Sequence, residues 1–314
     1  METASVSVAD IQTAAERIRP YVEPTPLLAA DAVVGEGGWF KAESLQRTGS
    51  FKVRGAANAL LQLSAEQRRQ GVITLSAGNH GRALAHMARR LHIRCVVVIR
   101  DDAPLAKLDA IRREGAELVL VPMADWQARL EAEQERRGLH LVHPFDDPAV
   151  IAGQGTVGLE ILQALPELAT VLVPVGGGGL ISGVATALKS GGPSAVRVIG
   201  VEPERAAVVS ESLAAGQPVP PSHTDSIAEG LAPPYTRALN LEIIRRHVDE
   251  MRLVSDDAIL DALRAVALDA KLVLEPAGAA GVAAALADAS LRRPSVIILT
   301  GGNVDAQHLA SWLG

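Results

Sequence analysis

Short β-branched runs alternate along the chain with segments whose apolar residues recur every three to four positions. Cys95 to Ile99 (CVVVI), Leu118 to Val121, Val171 to Val175, Val196 to Val201 and Val296 to Leu299 are apolar at nearly every position. Such runs predict strands covered on both faces, as in a parallel sheet. Between them, Gly81 to Arg90, Leu105 to Glu114, Trp126 to Arg137, Leu180 to Lys189 and Asp256 to Leu274 carry the helical period,. Ser255 with Asp256 and Asp257 supplies an N-cap and an acidic first turn for the last of these,. The alternation predicts an α/β architecture with mostly parallel sheet. No internal repeat interrupts it, and the Pro-rich stretch from Gly216 to Pro221 reads as a surface loop,.

Composition narrows the function classes. The 314 residues are 48% hydrophobic but only 3% aromatic, enough aliphatic material for a core in each of two domains,. A net charge of −6 and the scarcity of rings disfavour a basic nucleic-acid binder and a platform for stacking single strands,. The single cysteine, Cys95, cannot form an internal disulfide, and its apolar strand makes it a packed core residue,. The N-terminus lacks a signal-peptide layout and no apolar run is long enough to span a bilayer,. The expectation is a soluble, cytoplasmic protein with neither nucleic-acid nor membrane partners.

The sharpest chemical feature is VLVPVGGGGLISGVATAL, a strand running through Gly176, Gly177, Gly178 and Gly179 into a helix that begins near Leu180. Backbone N–H groups can converge on an anion there, and the helix start adds partial positive charge, so a phosphate site is the natural reading; a tight turn without ligand is the bland one. The loop lacks the GK[ST] of a nucleoside-triphosphate site and fails G-x-G-x-x-G,. Glu202 at the end of the next strand does keep a nicotinamide enzyme open, beside a phosphate-ligand binding protein,.

Among the five lysines, Lys107, Lys189 and Lys271 lie on helical patterns and Lys41 in strand-like WFKAE. Lys52 differs: it follows a Gly-Ser turn and Phe51 at the opening of a helix, where an amine can be desolvated enough to act as a nucleophile,. A third segment, Ser76-Ala77-Gly78-Asn79-His80-Gly81, links strand-like ITL to a helix and offers donors for a carboxylate, or only an N-cap,. The H-x-x-H-x-x-D-D group of His140, His143, Asp146 and Asp147 sits in a strand-like stretch that need not bring its histidines together, so no metal site is expected,. Ser182 lacks the neighbours of a hydrolase elbow,. Glu275 fits a helix-end role as well as a functional one.

S-F-K-x-R-G-A, S-A-G-N-H and G-G-G-G-L in this order, with HPFDDPAVIAGQGTVGLEIL and LTGGNVD, resemble the pyridoxal-phosphate enzymes of fold type II, specifically the serine/threonine dehydratase and serine racemase group. The resemblance covers nearly the whole chain. It implies two open, twisted, mostly parallel sheets flanked by helices, with a large domain of residues 1–68 and 148–314 and a small substrate-loop domain of residues 69–147. It implies that Lys52 binds pyridoxal 5'-phosphate and removes the substrate α-proton, that Phe51 packs on the pyridine ring, and that Asn79 bonds its 3-hydroxyl. Gly176 to Leu180 would hold the phosphate, Thr300 would stand beside the pyridine nitrogen, and Ser76, Asn79 and His80 would receive the substrate carboxylate. A hydroxyl beside that nitrogen makes a weaker electron sink, suited to elimination. L-Threonine would give 2-oxobutanoate and L-serine pyruvate, each with ammonia, and a homodimer is expected.

Three departures refine this expectation. Racemases of the group have a second serine directly after Ser76, where this chain has Ala77, which disfavours racemisation. Some relatives bind a divalent cation beyond the strand ending at Glu202; Ala206 keeps a carbonyl, but Val208 replaces the second acid, so no cation is expected,. Arg82 stands where many relatives have Gln, either as a surface residue or to favour a substrate with an extra negative group, such as 3-hydroxyaspartate,. Thr300 to Asn303 lie close to the C-terminus, leaving no room for an appended regulatory domain.

Overall fold

The computed structural model describes residues 5–76, 78–191 and 195–314. Ten strands form two sheets. The larger has the order β1 (Leu27–Ala29), β2 (Gly38–Lys41), β10 (Ser295–Ile298), β7 (Thr170–Pro174), β8 (Arg197–Pro203) and β9 (Glu250–Val254). Only the β1–β2 pair is antiparallel. The smaller sheet is all parallel, in the order β5 (Glu117–Val121), β4 (Cys95–Arg100), β3 (Val72–Leu75) and β6 (His140–Leu141). Central β7 and β10 are buried at every position, as continuous apolar runs demand, whereas edge strands β5 and β9 are half-open,. Cys95 is buried in β4.

One helical expectation fails. The period from Asp256 to Leu274 does not make a single helix: the α-helix Asp256–Ala265 gives way to a π-helical turn, Val266–Ala270, and Lys271 closes it in the left-handed conformation. Beyond Ala265 the apolar positions no longer share a covered face, since Val266 is buried while Leu268 and Val273 are exposed. The segment then runs to Glu275, ahead of the helix Pro276–Leu286.

The helix Pro148–Ala164 ties the larger unit together. Asp147 caps it, accepting from Ala149 N and Val150 N, and Pro148 opens it,. On one side it meets the helix Gly179–Gly191, backbone against backbone: a Cβ on Gly183 would lie 2.4 Å from Ile151 O and 2.6 Å from Gly155 N. On another side it meets the helix Lys52–Leu61, where a Cβ on Gly153 would lie 2.6 Å from Arg54 O.

A buried charge network fixes the second of these contacts. Arg54 is inaccessible and forks its guanidinium onto Glu43 and Glu160, with Nη2–Oε1 of Glu43 at 2.8 Å and Nη1–Oε1 of Glu160 at 2.6 Å. Lys41 adds a bond to Glu160 Oε2, and Thr25 Oγ1 donates to Glu43 Oε1. Two cations thus balance two carboxylates, of which Glu43 is sealed and Glu160 partly exposed. Removing one partner would strand the others, at a cost larger than the net worth of the network. Arg54→Met is expected to lower the unfolding free energy by about 3–5 kcal/mol, measured from urea transitions; a loss below about 1 kcal/mol would show that the network is not essential.

Candidate active site

Lys52 is the first residue of the helix Lys52–Leu61, and Phe51 before it is already in the helical region. Ser50 bridges to Gly301, and Phe51 N donates to Thr300 O over 3.2 Å, so the end of β10 is fastened beside the lysine. The side chain reaches into the cleft, where Nζ donates to Pro144 O over 2.9 Å. Desolvation lowers its pKa from 10.5 to about 8,. Its nearest ring is Phe51, half-buried, with the centroid 5.1 Å from Nζ. Thr300 is buried, and its hydroxyl donates to Ala277 O over 3.3 Å, the weak end of the hydrogen-bond range,.

The four glycines follow β7 and open the helix Gly179–Gly191. Gly178 has φ +98°, a conformation an L side chain rarely adopts, and the chain reverses there,. The opening N–H groups of the helix, from Gly179 and Leu180, have no carbonyl of their own helix to bind. A Cβ on Gly177 would sit 2.5 Å from the ring of Phe145, so the loop's missing side chains let the HPFDD segment lie directly on it. Thr236 Oγ1 donates to Gly177 O over 3.1 Å, and Asn240 Nδ2 to Phe145 O over 3.1 Å. The glycine loop and Lys52 thus both contact one short segment, through Phe145 and the Pro144 carbonyl respectively.

The loop after β3 supplies the facing wall. Ser76 is buried, and its Oγ accepts from Gly78 N over 3.2 Å and Gly81 N over 3.1 Å, leaving its own proton free to donate. Ala77 lies outside the described residues. Asn79 opens the helix Asn79–Arg90; its Nδ2 donates to Glu275 Oε1 over 2.5 Å and its Oδ1 accepts from Asn303 Nδ2 over 2.7 Å.

The His80 side chain is turned away from a ligand-binding role. Its Nε2 lies 3.1 Å from Val142 O, so that nitrogen carries the proton and donates to the carbonyl. Desolvation, reinforced by the Lys52 charge, drives its pKa to about 3. The remaining Nδ1 is buried, unprotonated and without a partner, so the imidazole has no donor to offer a substrate carboxylate; the backbone N–H at the helix start still does,.

Other candidates are placed apart or in different roles. His140 Nδ1 lies 3.1 Å from Gln67 Nε2, while His143 Nδ1 accepts from Asp146 N over 2.8 Å and its Nε2 faces Tyr235 Oη at 3.2 Å. The two histidines therefore do not converge. Among the described residues, no group of three or more His, Cys, Asp or Glu is arranged for a metal ion. Glu202 is buried and accepts from Val209 N, Ser210 N and Ser210 Oγ at 2.6 to 2.8 Å, anchoring the helix Val208–Ala215 rather than facing a ligand. Burial lifts its pKa to about 7. Arg82 is half-buried rather than a fully exposed surface residue, and it donates from Nη1 to Asn303 Oδ1 over 2.6 Å. Glu275 is recessed in the cleft, and desolvation raises its pKa to about 7. It makes no side-chain cap for the helix Pro276–Leu286.

Sequence reasoning missed Asn303, Phe145, Tyr235 and the Pro144 carbonyl as parts of this cleft. HPFDD and LTGGNVD were signals for three of them, because both motifs lie where a strand-like run ends in an α/β fold.

These residues fit a phosphorylated aldehyde cofactor. An amine with lowered pKa and no carboxylate partner is the required nucleophile, and the glycine cradle with its helix start is an anion site,. Residues 18–301 match the family described as pyridoxal-phosphate dependent enzyme. The chain is 39% identical to serine racemase from Oryza sativa subsp. indica, covering 96% of this chain and 92% of that protein. It is 42% identical to L-threonine ammonia-lyase from Thermotoga maritima, covering 97% and 77% respectively. The structure of maize serine racemase superposes with a TM-score of 0.93 at 37% identity, covering 98% of this chain and 97% of that one. Among the described residues, no helix is long and apolar enough to cross a membrane. A match over nine-tenths of the chain, joined to a buried lysine amine and a glycine loop that both contact the Pro144–Phe145 segment, makes this protein a member of the pyridoxal-phosphate dependent enzyme family.

Proposed function

We propose that the chain is an ammonia-lyase that dehydrates L-threonine and L-serine to 2-oxobutanoate and pyruvate. Its relatives include serine racemases and threonine ammonia-lyases at comparable identity, so likeness alone does not choose between the two reactions. One observation carries the choice: Lys52 is the base brought into the cleft, and the residue after Ser76, from which a proton would return to the opposite face, is Ala77. An alanine side chain has no proton to give.

In this reading Lys52 holds the cofactor and moves the substrate α-proton at Nζ. Pyridoxal phosphate supplies the electron sink that makes that carbon acidic. The Gly176 to Leu180 backbone binds the phosphate, Phe51 packs on the ring, Asn79 Nδ2 donates to the 3-oxygen and Thr300 stands beside the ring nitrogen. The free hydroxyl proton of Ser76 and the helix-start N–H groups at Asn79 and His80 orient the substrate carboxylate. Residues 69–147 form the smaller, substrate-loop domain and residues 1–68 with 148–314 the larger one. The active form is a homodimer in the cytoplasm. 3-Hydroxyaspartate is the alternative substrate: Arg82 bonds through Nη1 to the neutral Asn303 amide and has no carboxylate partner among the described residues, so its charge can still read an extra carboxylate,.

The test of the reaction is a panel of β-hydroxy amino acids assayed for 2-oxo acid release, with D-serine quantified from L-serine. Threonine and serine are expected to yield 2-oxo acids with little D-serine; D-serine forming as fast as pyruvate would overturn the lyase reading. Lys52→Ala is expected to lower turnover by a factor of at least about 100 and to abolish the absorbance band that borohydride bleaches in the native enzyme. Capture of pyridoxal phosphate by the apoenzyme needs the neutral amine. Its rate is therefore expected to rise about tenfold per pH unit below the Lys52 pKa of about 8 and to level above it,. A stopped-flow profile still rising steeply at pH 10 would show an ordinary lysine.

A further inference from the structure

Arg82, Asn303, Asn79 and Glu275 form one hydrogen-bonded chain along the cleft. Arg82 Nη1 donates to Asn303 Oδ1 over 2.6 Å, Asn303 Nδ2 to Asn79 Oδ1 over 2.7 Å, and Asn79 Nδ2 to Glu275 Oε1 over 2.5 Å. Asn303 Nδ2 also donates to Thr48 O over 2.8 Å. The members are far apart in sequence: two open the helix Asn79–Arg90, one lies beyond β10, and one precedes the helix Pro276–Leu286.

The chain has a direction. A guanidinium has donors and no acceptor, so Arg82 can meet only the oxygen of Asn303. That turns the Asn303 nitrogen toward Asn79, which must answer with its oxygen, and the Asn79 nitrogen then faces Glu275. A carboxamide is nearly symmetric in shape, and its neighbours decide which end is which. Turning Asn79 by half a revolution would set nitrogen against nitrogen at 2.7 Å and oxygen against oxygen at 2.5 Å. Of the two Nδ2 hydrogens, one goes to Glu275 and the other is left for the cleft.

The fold clears a path for these bonds. A Cβ on Gly301 would lie 2.2 Å from Glu275 Oε1 and 3.2 Å from Asn79 Nδ2, and one on Gly49 would lie 2.4 Å from Asn303 Oδ1. Among the described residues, no carboxylate lies within ion-pair distance of Arg82, and its Nε is buried without a partner. Its charge is directed into the amide chain, a charge-assisted bond stronger than one between neutral groups.

We propose that Arg82 and Asn303 are positioning residues that hold the Asn79 carboxamide with its nitrogen toward the 3-oxygen of pyridoxal phosphate. The inference rests on the assignment of Asn79 to that oxygen, and it gives Arg82 a role in cofactor binding.

Asn303→Asp is the most direct test. It preserves size and keeps an acceptor for Arg82, yet replaces the donor to Asn79 with an oxygen. Arg82→Met is the second variant, because it leaves the Asn303 bond to Thr48 in place. Apoenzyme is titrated with pyridoxal phosphate, and the dissociation constant and the absorption maximum of the bound form are recorded alongside thermal melting. Asn303→Asp is expected to weaken binding about tenfold and to shift the absorption maximum, Arg82→Met to do so in the same direction, and Arg82→Lys, which retains a donor-only head, to recover most of the loss. Folded variants with native affinity and spectrum, beside an Asn79→Ala control that does weaken binding, would overturn the positioning role. An Asn79→Ala control with native affinity and spectrum would instead remove the Asn79 assignment itself, and the proposal with it.

Discussion

The site depends on a close approach between backbones. The helix Pro148–Ala164 touches the helix Gly179–Gly191 through Gly155 and Gly183, and the helix Lys52–Leu61 through Gly153, at distances that exclude any Cβ. One of those partners begins at the glycine loop and the other at Lys52. Both helix starts are thus referenced to one rigid element, and their separation is set by backbone contact rather than by side chains that could change rotamer. A methyl group at either crossing would push the helices apart and move the two halves of the site relative to each other.

Charge is distributed so that one cation in this region is left without a carboxylate. Arg54 and Lys41 pair with Glu43 and Glu160 in a network that is buried except at Glu160, which is partly exposed. Lys52, two residues from Arg54, has only the Pro144 carbonyl. The difference follows from helical geometry: residues two apart point to different sides, so Arg54 faces the sealed interior while Lys52 faces the cleft. Because the neighbouring carboxylates are already neutralised, desolvation acts on Lys52 unopposed and the amine is held closer to neutrality. His80 and His143 share that environment and are driven neutral by the same burial, aided by the lysine's charge.

What the sequence disclosed follows the same physics. Runs such as Cys95 to Ile99 and Val296 to Leu299 reveal themselves because central parallel strands are apolar on both faces,. Edge strand β9, EMRLV, lacks that signature and escapes notice. The helices Pro148–Ala164 and Pro276–Leu286 were equally hard to see by periodicity, for the opposite reason: they are covered almost all round and carry no polar face,. The glycine loop, Lys52 and Asn79 were legible because their chemistry is local to a turn or helix start. Asn303 and the direction of the Arg82 bond were not, since they depend on contacts across more than two hundred residues of chain. The His80 imidazole was likewise not legible, since its Nε2 bond to Val142 O spans sixty-two residues of chain.

The cleft therefore separates two tasks that the motifs alone run together. In the proposed reaction proton transfer falls to Lys52, whose hydrogen bond is to a backbone carbonyl, while orientation falls to amides, hydroxyls and backbone N–H groups that do not titrate near neutrality. Glu275 is the exception, a recessed carboxyl with a pKa near 7 that bonds to Asn79. Its Oε1 accepts from Asn79 whether the group is ionised or, with the proton on the other oxygen, neutral. The donor to the chain, Arg82, is a guanidinium with N–H donors and no acceptor. A chain headed by a permanent donor keeps its direction while its far end changes charge, so Asn79 can present the same hydrogen in both states.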